Sequence, residues 1–169
     1  MPAAGGKTAR LDSLGRVAHK PVRMNSGGSG LLATAADYHR FLHMLLDTAG
    51  SPAGELDGAR LLSPRTVRYM ARNHLPGGLD LEAFGRPLYA ESPFRGVGFG
   101  LGFAVMIDPV LGQVVSSAGE ISWGGAASTT FWVDREADLT VSFFTQLLPS
   151  STYPIGPQLR QLVYQALTD

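Results

Sequence analysis

The stretch from residue 120 to residue 133 holds the residues whose types and order could best form part of a binding site. Gly124 and Gly125 are adjacent, and a backbone without Cβ atoms can approach a ligand closely. Trp123 precedes this pair, and the residues from 128 onwards have the β-branched and aromatic character of a half-buried strand. The stretch therefore predicts a strand that forms one wall of a site, with an opening at its glycine pair.

Two histidines have a spacing that could bind a metal ion. His39 and His43 are four residues apart, so on a helix they would lie on the same face. No third ligand at a fitting spacing is evident in the sequence, and a solvated helix face is the better interpretation of the pair. We therefore predict neither a metal site nor a cofactor.

Other chemical signatures are missing from the sequence, including the phosphate-binding loop, His-Glu-x-x-His, Gly-x-Ser-x-Gly and Ser-x-x-Lys. From Val97 to Ile107, large apolar residues alternate with glycine and other small residues. This alternation fits a strand better than a nucleotide-binding loop, and it predicts one bulky face and one nearly bare face. A helix or another backbone could lie unusually close to the bare face.

Helices are predicted on both sides of this stretch. Thr34 and Asp37 form a capping box, and a helix with an apolar face is expected to run from them to a stop at Gly50. The residues of that apolar face are Tyr38, Phe41, Leu42, Leu45 and Ala49. Ser63 and Pro64 begin a second helix that buries Val67 and Met70. The apolar residues of the last helix are Ile155, Leu159, Leu162, Val163 and Ala166.

Strands dominate the second half of the chain. A short strand is predicted over 113–118, and the turn at 134–138 predicts a hairpin between strands 128–133 and 139–146. Residues 73–96 are long enough to form a functional, lid-like loop. Trp132, Phe143 and Phe144 are predicted to lie in the core. This order of elements predicts an α+β fold, with an antiparallel β-sheet flanked by helices.

The composition limits the partners and the location. Basic and acidic side chains number 14 each, so no basic surface indicates binding to nucleic acid or to a membrane. The absence of cysteine excludes thiolate nucleophiles. Residues 1–20 lack the apolar core of a signal peptide, so we predict a cytoplasmic protein. Residues 1–24 have little periodicity and are predicted to be a loosely ordered lead-in to a domain at 25–169.

Several segments, in the same order as in the family, resemble the serine β-lactamase-like superfamily. They are Gly27–Asp37, Leu61–Val67, Gly98–Phe103, Trp123–Ala126 and Phe131–Asp134. The greatest similarity is to class C β-lactamases and family VIII carboxylesterases, over about Asn25 to Leu167, and the chain resembles the C-terminal half of such a bacterial enzyme. The resemblance implies a partial β-lactamase/transpeptidase-like fold and hydrolysis through an acyl-enzyme on a nucleophilic serine.

The resemblance also implies roles for individual residues. Trp123, Gly124 and Gly125 resemble the family's third motif, often Lys-Thr-Gly on the edge strand of the sheet, and would bind substrate. The Ala126 N–H, directly after them, would match the second donor of the oxyanion hole. Tryptophan in place of lysine favours carboxylic esters over β-lactams, although Trp123 could instead be a packing residue beside a tight turn.

The family's other two motifs, Ser-x-x-Lys and Tyr-x-Asn, do not occur in this sequence. They carry the nucleophile and its base, so the resemblance implies that the chain is inactive alone. One expectation is therefore a hydrolase domain that acts on a small ester or β-lactam when it is completed by an N-terminal half. The alternative is a non-catalytic interaction or structural module that self-associates or pairs with that half.

Overall fold

The computed structural model describes residues 21, 24, 26–28, 31–48, 52–85 and 94–168. The predicted lead-in at 1–24 lies outside these residues, apart from residues 21 and 24. The described residues form the predicted α+β fold, built on a five-stranded antiparallel sheet. No described helix combines the length and the apolar character that crossing a membrane requires.

The first helix, α1, spans Ala35–Leu45 and begins at the predicted capping box. The Thr34 hydroxyl accepts a hydrogen bond from the Asp37 N–H at 3.1 Å and donates one to the Asp37 carboxylate at 2.7 Å. The helix ends earlier than predicted because Leu46 adopts an extended backbone that places its side chain in the core. Gly50, the predicted stop, lies outside the described residues. Phe41 is 42% exposed, so its predicted burial was wrong, and Met44 is buried instead.

A short hairpin and a second helix follow α1. Strands β1 (Glu55–Leu56) and β2 (Ala59–Arg60) pair with each other, and α2 spans Pro64–Met70 with the predicted cap at Ser63. Val67 is fully buried, and Met70 packs against the same core. Helix α3 (Leu81–Phe84) and a 3₁₀ turn at Pro76–Gly78 lie within the segment predicted as a long loop.

The sheet is a meander in which each strand pairs with the next along the chain. Its strands are β3 (Val97–Phe99), β4 (Ala104–Met106), β5 (Ile121–Gly124), β6 (Thr130–Asp134) and β7 (Leu139–Phe143). The predicted hairpin of β6 and β7 is confirmed. The strand predicted at 113–118 was wrong, because Asp108 caps a short helix, α4 (Pro109–Gly112), and Gln113 then adopts a left-handed conformation that ends it.

The segment 97–107 is a hairpin of β3 and β4, not one strand. The chain reverses at residues 100–103, where the Gly100 N–H donates to the Phe103 carbonyl and Gly102 has a φ of 109°. The predicted close approach of another backbone is confirmed. A Cβ atom on Gly100 would overlap the carbonyl oxygen of Met70, at the end of α2. The glycines therefore allow α2 to pack directly against this hairpin.

Replacing Gly100 with alanine is expected to lower the free energy of unfolding by about 1–3 kcal/mol, because the methyl group would push α2 away from the hairpin. Urea unfolding followed by circular dichroism measures this change. The matched control is Gly28→Ala, since a Cβ atom there has no neighbour within 4 Å. Equal stabilities of the two variants would contradict the packing argument.

The sheet has helices on both faces. Ile121, Phe131 and Val133 pack on the face that contacts α1 and α2. The intervening residue, Trp132, lies on the other face, beneath Arg160 of the last helix, α5 (Ile155–Tyr164). Trp132 is completely buried, which confirms its predicted place in the core. The sheet therefore separates two packed layers, and α5 forms one of them.

Two buried acidic residues hold α5 to the sheet. The Glu120 carboxylate, directly before β5, accepts hydrogen bonds from Ser116 and Arg160. The Tyr164 hydroxyl lies 3.0 Å from Glu120 Oε2 and 2.6 Å from Asp134 Oδ2 at the end of β6. We call these four side chains, Glu120, Asp134, Arg160 and Tyr164, the polar clamp. It fixes the start of β5, the strand that carries Trp123 at its other end.

Shifted pKa values keep Asp134 and Tyr164 of the polar clamp in their bonding forms over a wide pH range. Burial acts to raise the pKa of Asp134, but hydrogen bonds from Tyr164, Ser117 and two backbone amides outweigh it and lower the pKa below 3.8. The stability contributed by Asp134 is thus present above that pH and is lost as pH falls through the lowered pKa. Burial and the two carboxylates raise the pKa of Tyr164 above 10.0, so its contribution is present below pH 10.0 and is lost only in stronger alkali.

Candidate active site

The candidate site lies where β5 extends beyond its neighbour β4. Ile121 and Ser122 pair with β4 on one side and with β6 on the other. Trp123 and Gly124 pair with β6 alone. The predicted position on an edge strand was wrong for β5 as a whole, because it is the middle strand of the sheet. Its last two residues nevertheless have a free side, because β4 ends before it reaches them.

A tight turn connects β5 to β6, so the predicted single strand from 120 to 133 is a hairpin. The Gly125 N–H donates to the Thr129 carbonyl at 2.9 Å, and the Ser128 N–H donates to the Gly125 carbonyl at 3.0 Å. A Cβ atom on Gly125 would lie 2.5 Å from the Thr129 hydroxyl oxygen, so any larger residue would displace the Thr129 side chain. The glycine pair thus gives the backbone room to reverse.

Ser128 holds this turn in place from beneath. Its side chain is buried, its φ is 63°, and its hydroxyl donates to the Leu147 carbonyl at 2.8 Å. The Leu147 N–H in turn donates to the Ala127 carbonyl at 3.1 Å. From the sequence, Ser128 was predicted only to begin a strand. Its hydroxyl bonds to a backbone carbonyl, and no basic side chain of the described residues bonds to it, so the contacts of Ser128 are those of a structural residue.

Ala126 lies at the exposed tip of this turn. Its N–H has no hydrogen-bond acceptor among the described residues, whereas the Gly125 and Ser128 N–H groups are both bonded. Ala126 does not belong to the group of residues that line the adjoining cleft. The structure therefore brings Trp123, Gly124 and Gly125 to a common cleft and leaves the Ala126 N–H available at its edge.

The cleft beside Trp123 has a volume of about 170 Å³, and we call it the aromatic cleft. Besides Gly124 and Gly125, the residues that line it are Tyr38, Trp123, Thr129, Thr130, Phe131 and Phe144. None of these side chains is charged. The polar side-chain groups of the lining are therefore neutral: the hydroxyl groups of tyrosine and threonine and the indole N–H of Trp123.

Aromatic contacts fix the walls of the cleft. The Tyr38 ring makes edge-to-face contacts with Phe131, at a centroid distance of 5.7 Å, and with Phe144, at 5.6 Å. On the opposite wall, Trp123 makes an edge-to-face contact with Phe99 at 5.0 Å and stacks against Phe94 at 6.3 Å. Each such pair contributes about 0.5–1.5 kcal/mol beyond its buried area, so the walls are held in shape before any ligand binds.

Two residues of the aromatic cleft were predicted to lie elsewhere. Tyr38 was placed on the apolar face of α1, and its ring does reach the core. Phe144 was predicted to be a core residue, and this was wrong, because its side chain is 47% exposed at the mouth of the cleft. Ser142 pairs with Phe131, and Phe144, two residues later, lies on the same face of the sheet. This alternation along the strand is the one signal in the sequence that could have predicted the position of Phe144.

The other titratable candidates lie away from the cleft. The His39 and His43 rings contact each other edge to face at 4.8 Å on α1, and His74 bonds to the Tyr69 carbonyl. None of these three histidines lines the aromatic cleft. Within the described ranges, no group of three or more His, Cys, Asp or Glu side chains could hold a metal ion. His19 lies outside those ranges.

A family model described as Beta-lactamase matches residues 2–165 of this chain. The chain belongs to the β-lactamase family. The match begins inside the segment that the sequence analysis treated as a lead-in, and it ends in the turn after α5. The chain is thus a serine hydrolase-type domain, as the ordered motifs predicted.

Curated relatives of this β-lactamase-family chain include enzymes of ester and acyl chemistry. Protein Rv1367c of Mycobacterium tuberculosis is 34% identical over 152 residues, which are 83% of this chain and 35% of that protein. The acyltransferase calJ of Penicillium decumbens is 30% identical over 73% of this chain and 29% of its own length. Esterase EstB of Burkholderia gladioli is 28% identical over 86% of this chain and 32% of its own length. The chain thus spans about a third of the length of these relatives.

Solved structures confirm the fold of the β-lactamase-family domain. Simvastatin synthase (LovD) from Aspergillus terreus matches 95% of this chain and 38% of its own chain, with a TM-score of 0.67 and 25% identity. EstCE1, described as a hydrolase with promiscuous acyltransferase activity, matches 72% of this chain with a TM-score of 0.50 and 24% identity. At that identity, EstCE1 supports the shared fold and nothing further.

Proposed function

We propose that this chain supplies the sheet side of an active site that hydrolyses carboxylic esters through an acyl-enzyme. The observation that carries the proposal is the position of Trp123, on the free end of β5, beside a cleft with no charged side chain. Gly124 and Gly125 complete that wall, and the Ala126 N–H at its edge has no partner among the described residues. A backbone N–H donor beside an uncharged wall could stabilise a polarised ester carbonyl from one side.

The reaction in this proposal has two steps. A serine oxygen, from a part of the protein outside this sequence, attacks the ester carbonyl carbon, and the alcohol leaves with a proton from the general base. Water then attacks the acyl-enzyme, which releases the acid and restores the serine. The Ala126 N–H would donate to the carbonyl oxygen while it carries negative charge, together with the N–H of the nucleophile itself.

The charge of the cleft favours esters over β-lactams. A β-lactam substrate carries a carboxylate, and a buried carboxylate without a cationic partner is penalised by several kcal/mol. Lysine at the position of Trp123 would provide such a partner, whereas tryptophan offers an apolar ring and one N–H donor. The relatives named as an esterase and an acyltransferase support the same choice.

The test compares this chain alone with the same chain joined to a segment that carries Ser-x-x-Lys and Tyr-x-Asn, which we call the completed chain. Each is incubated with a short-chain nitrophenyl ester and with a chromogenic cephalosporin, and covalent adducts are detected by intact mass. We expect neither turnover nor adduct from this chain alone. The completed chain should cleave the ester faster than the cephalosporin.

The control is the completed chain with alanine in place of the serine of Ser-x-x-Lys, which should be as inactive as this chain alone. Turnover by this chain alone would show that an unsuspected residue is the nucleophile. A completed chain that prefers the cephalosporin would contradict the assignment to esters. Each of these results is visible in the same two assays.

A second candidate function is a non-catalytic interaction module. Leu31 is 97% exposed, Leu32 is 77% exposed and Val110 is 84% exposed, and exposed apolar surface often marks an interaction site. Strand β7 also ends the sheet in the described part of the chain, so one side of its backbone is unpaired. A second copy of the chain or an N-terminal half could bind there. Size-exclusion chromatography with light scattering tests self-association, and a monomer at all concentrations would exclude it.

A further inference from the structure

The aromatic cleft has a size that limits what it can hold. Its volume of about 170 Å³ is close to the ~150 Å³ of an engineered apolar cavity that binds benzene. The cleft therefore has room for one six-membered ring or a branched alkyl group of similar bulk. The second of two fused rings would exceed this volume, so it would lie outside the cleft unless one of the walls moved.

Its walls are set by three separate elements. Tyr38 stands in the first turns of α1, which the Thr34 cap fixes, and Phe144 follows the last residue of β7. Helix α1 packs against β7, and this packing brings the two rings to a centroid distance of 5.6 Å. Trp123 closes the other side from β5. Because helix and strand carry the rings, the width between them is set by backbone packing.

The lining also limits the charge of the occupant. No charged side chain lines the cleft, and burial raises the pKa of the Tyr38 hydroxyl still further from neutral pH. A carboxylate or an ammonium group placed here would lose hydration without gaining an ionic partner. A neutral apolar group keeps the benefit of burial, at roughly 25 cal/mol per Å² of apolar surface.

We propose that the aromatic cleft binds one uncharged ring or branched alkyl group of the ester, and that Tyr38 and Phe144 set its size limit. The identity of this group as part of an ester rests on the proposed function. The binding itself does not, because all the residues that line the cleft in the described structure belong to this chain. The size limit is thus set by two residues outside the Trp123–Ala126 motif.

Binding to this chain alone is measured with benzyl alcohol, phenylacetate and 2-naphthylmethanol as probes, by chemical shift changes in NMR spectra and by tryptophan fluorescence. Trp123 is 37% exposed and Trp132 is fully buried, so a fluorescence change reports on Trp123. We expect a Kd on the order of 1 mM for benzyl alcohol. Phenylacetate and 2-naphthylmethanol should each bind at least about tenfold more weakly, a difference of about 1.4 kcal/mol.

The variant Phe144→Ala should widen the cleft, so that 2-naphthylmethanol binds at least about tenfold more tightly than it binds the unaltered chain. The matched control is Phe84→Ala, which removes a ring that is 52% exposed on α3 and does not line the cleft. Phe84→Ala should bind the three probes with the same affinities as the unaltered chain. Equal binding of phenylacetate and benzyl alcohol, or no effect of Phe144→Ala, would overturn the proposal.

The completed chain shows which part of the ester the cleft holds. If the cleft holds the alcohol part of the ester, Phe144→Ala should change the kcat/KM for benzyl acetate. If the cleft holds the acyl part, Phe144→Ala should change the kcat/KM for ethyl phenylacetate. Probe binding without any ester turnover by the completed chain would contradict the proposed function and leave the cleft assignment standing. Turnover without probe binding would contradict the cleft assignment alone.

Discussion

Replacing Glu120 with alanine is expected to lower the free energy of unfolding by about 3–5 kcal/mol. Glu120 has no exposed side-chain surface, and Arg160, its ionic partner, has 13%. Removing the carboxylate leaves the Arg160 guanidinium largely buried without a counter-charge. It also removes the acceptor of the Ser116 hydroxyl and a neighbour of the Tyr164 hydroxyl. Since whole domains have stabilities of about 5–15 kcal/mol, this single change would remove much of the total.

The measurement is urea unfolding followed by circular dichroism, with Glu136→Ala as the matched control. Glu136 is an exposed acidic residue on the turn after β6, so its loss should change stability by less than about 0.5 kcal/mol. The double variant that replaces both Glu120 and Arg160 with leucine should regain part of the loss, because no buried charge remains unpaired. A loss below about 1 kcal/mol for Glu120→Ala would contradict the role of the polar clamp.

Replacing Ala126 with proline is expected to lower kcat of the completed chain by about 10²–10³-fold, because proline has no N–H to donate to the oxyanion. The donor acts on charge that develops in the transition state. KM should therefore change much less than kcat. The assay is hydrolysis of the nitrophenyl ester under saturating conditions.

The matched control is Ala127→Pro, which places the same ring one position later in the same turn. The Ala127 carbonyl, which proline retains, accepts the hydrogen bond from Leu147. Thermal unfolding of both variants separates a loss of fold from a loss of the donor. Similar kcat values for the two variants, at equal stability, would contradict the assignment of the Ala126 N–H.

Elements that depend on neighbouring residues in the sequence were predictable. Thr34 and Ser63 cap their helices as expected, because each hydroxyl reaches a backbone N–H three residues later. The turn after Asp134 makes the expected hairpin, since the Asp134 carboxylate accepts from the N–H groups of Glu136 and Ala137. These interactions involve atoms that any fold of this chain would keep close together.

Elements that depend on a packing partner were predicted less well. The alternating pattern over 97–107 was correct about the bare glycine face and wrong about one continuous strand. Periodicity shows which side chains share a face, but the reversal at residues 100–103 is stabilised by α2, whose Met70 carbonyl accepts from the Leu101 N–H at 2.9 Å. The exposure of Phe41 and the burial of Met44 were set in the same way, by which side of α1 packs against the core.

The sequence by itself determined the family, the class of fold and the motif Trp123-Gly124-Gly125, because these follow from the order of residues along the chain. Only the tertiary structure decided that β5 has a free end, that Ser128 holds the turn, and that Tyr38 and Phe144 complete a cleft beside Trp123. Tyr38 and Phe144 lie far apart in the sequence. They meet because α1 packs across β7, and that contact depends on the shapes of both surfaces.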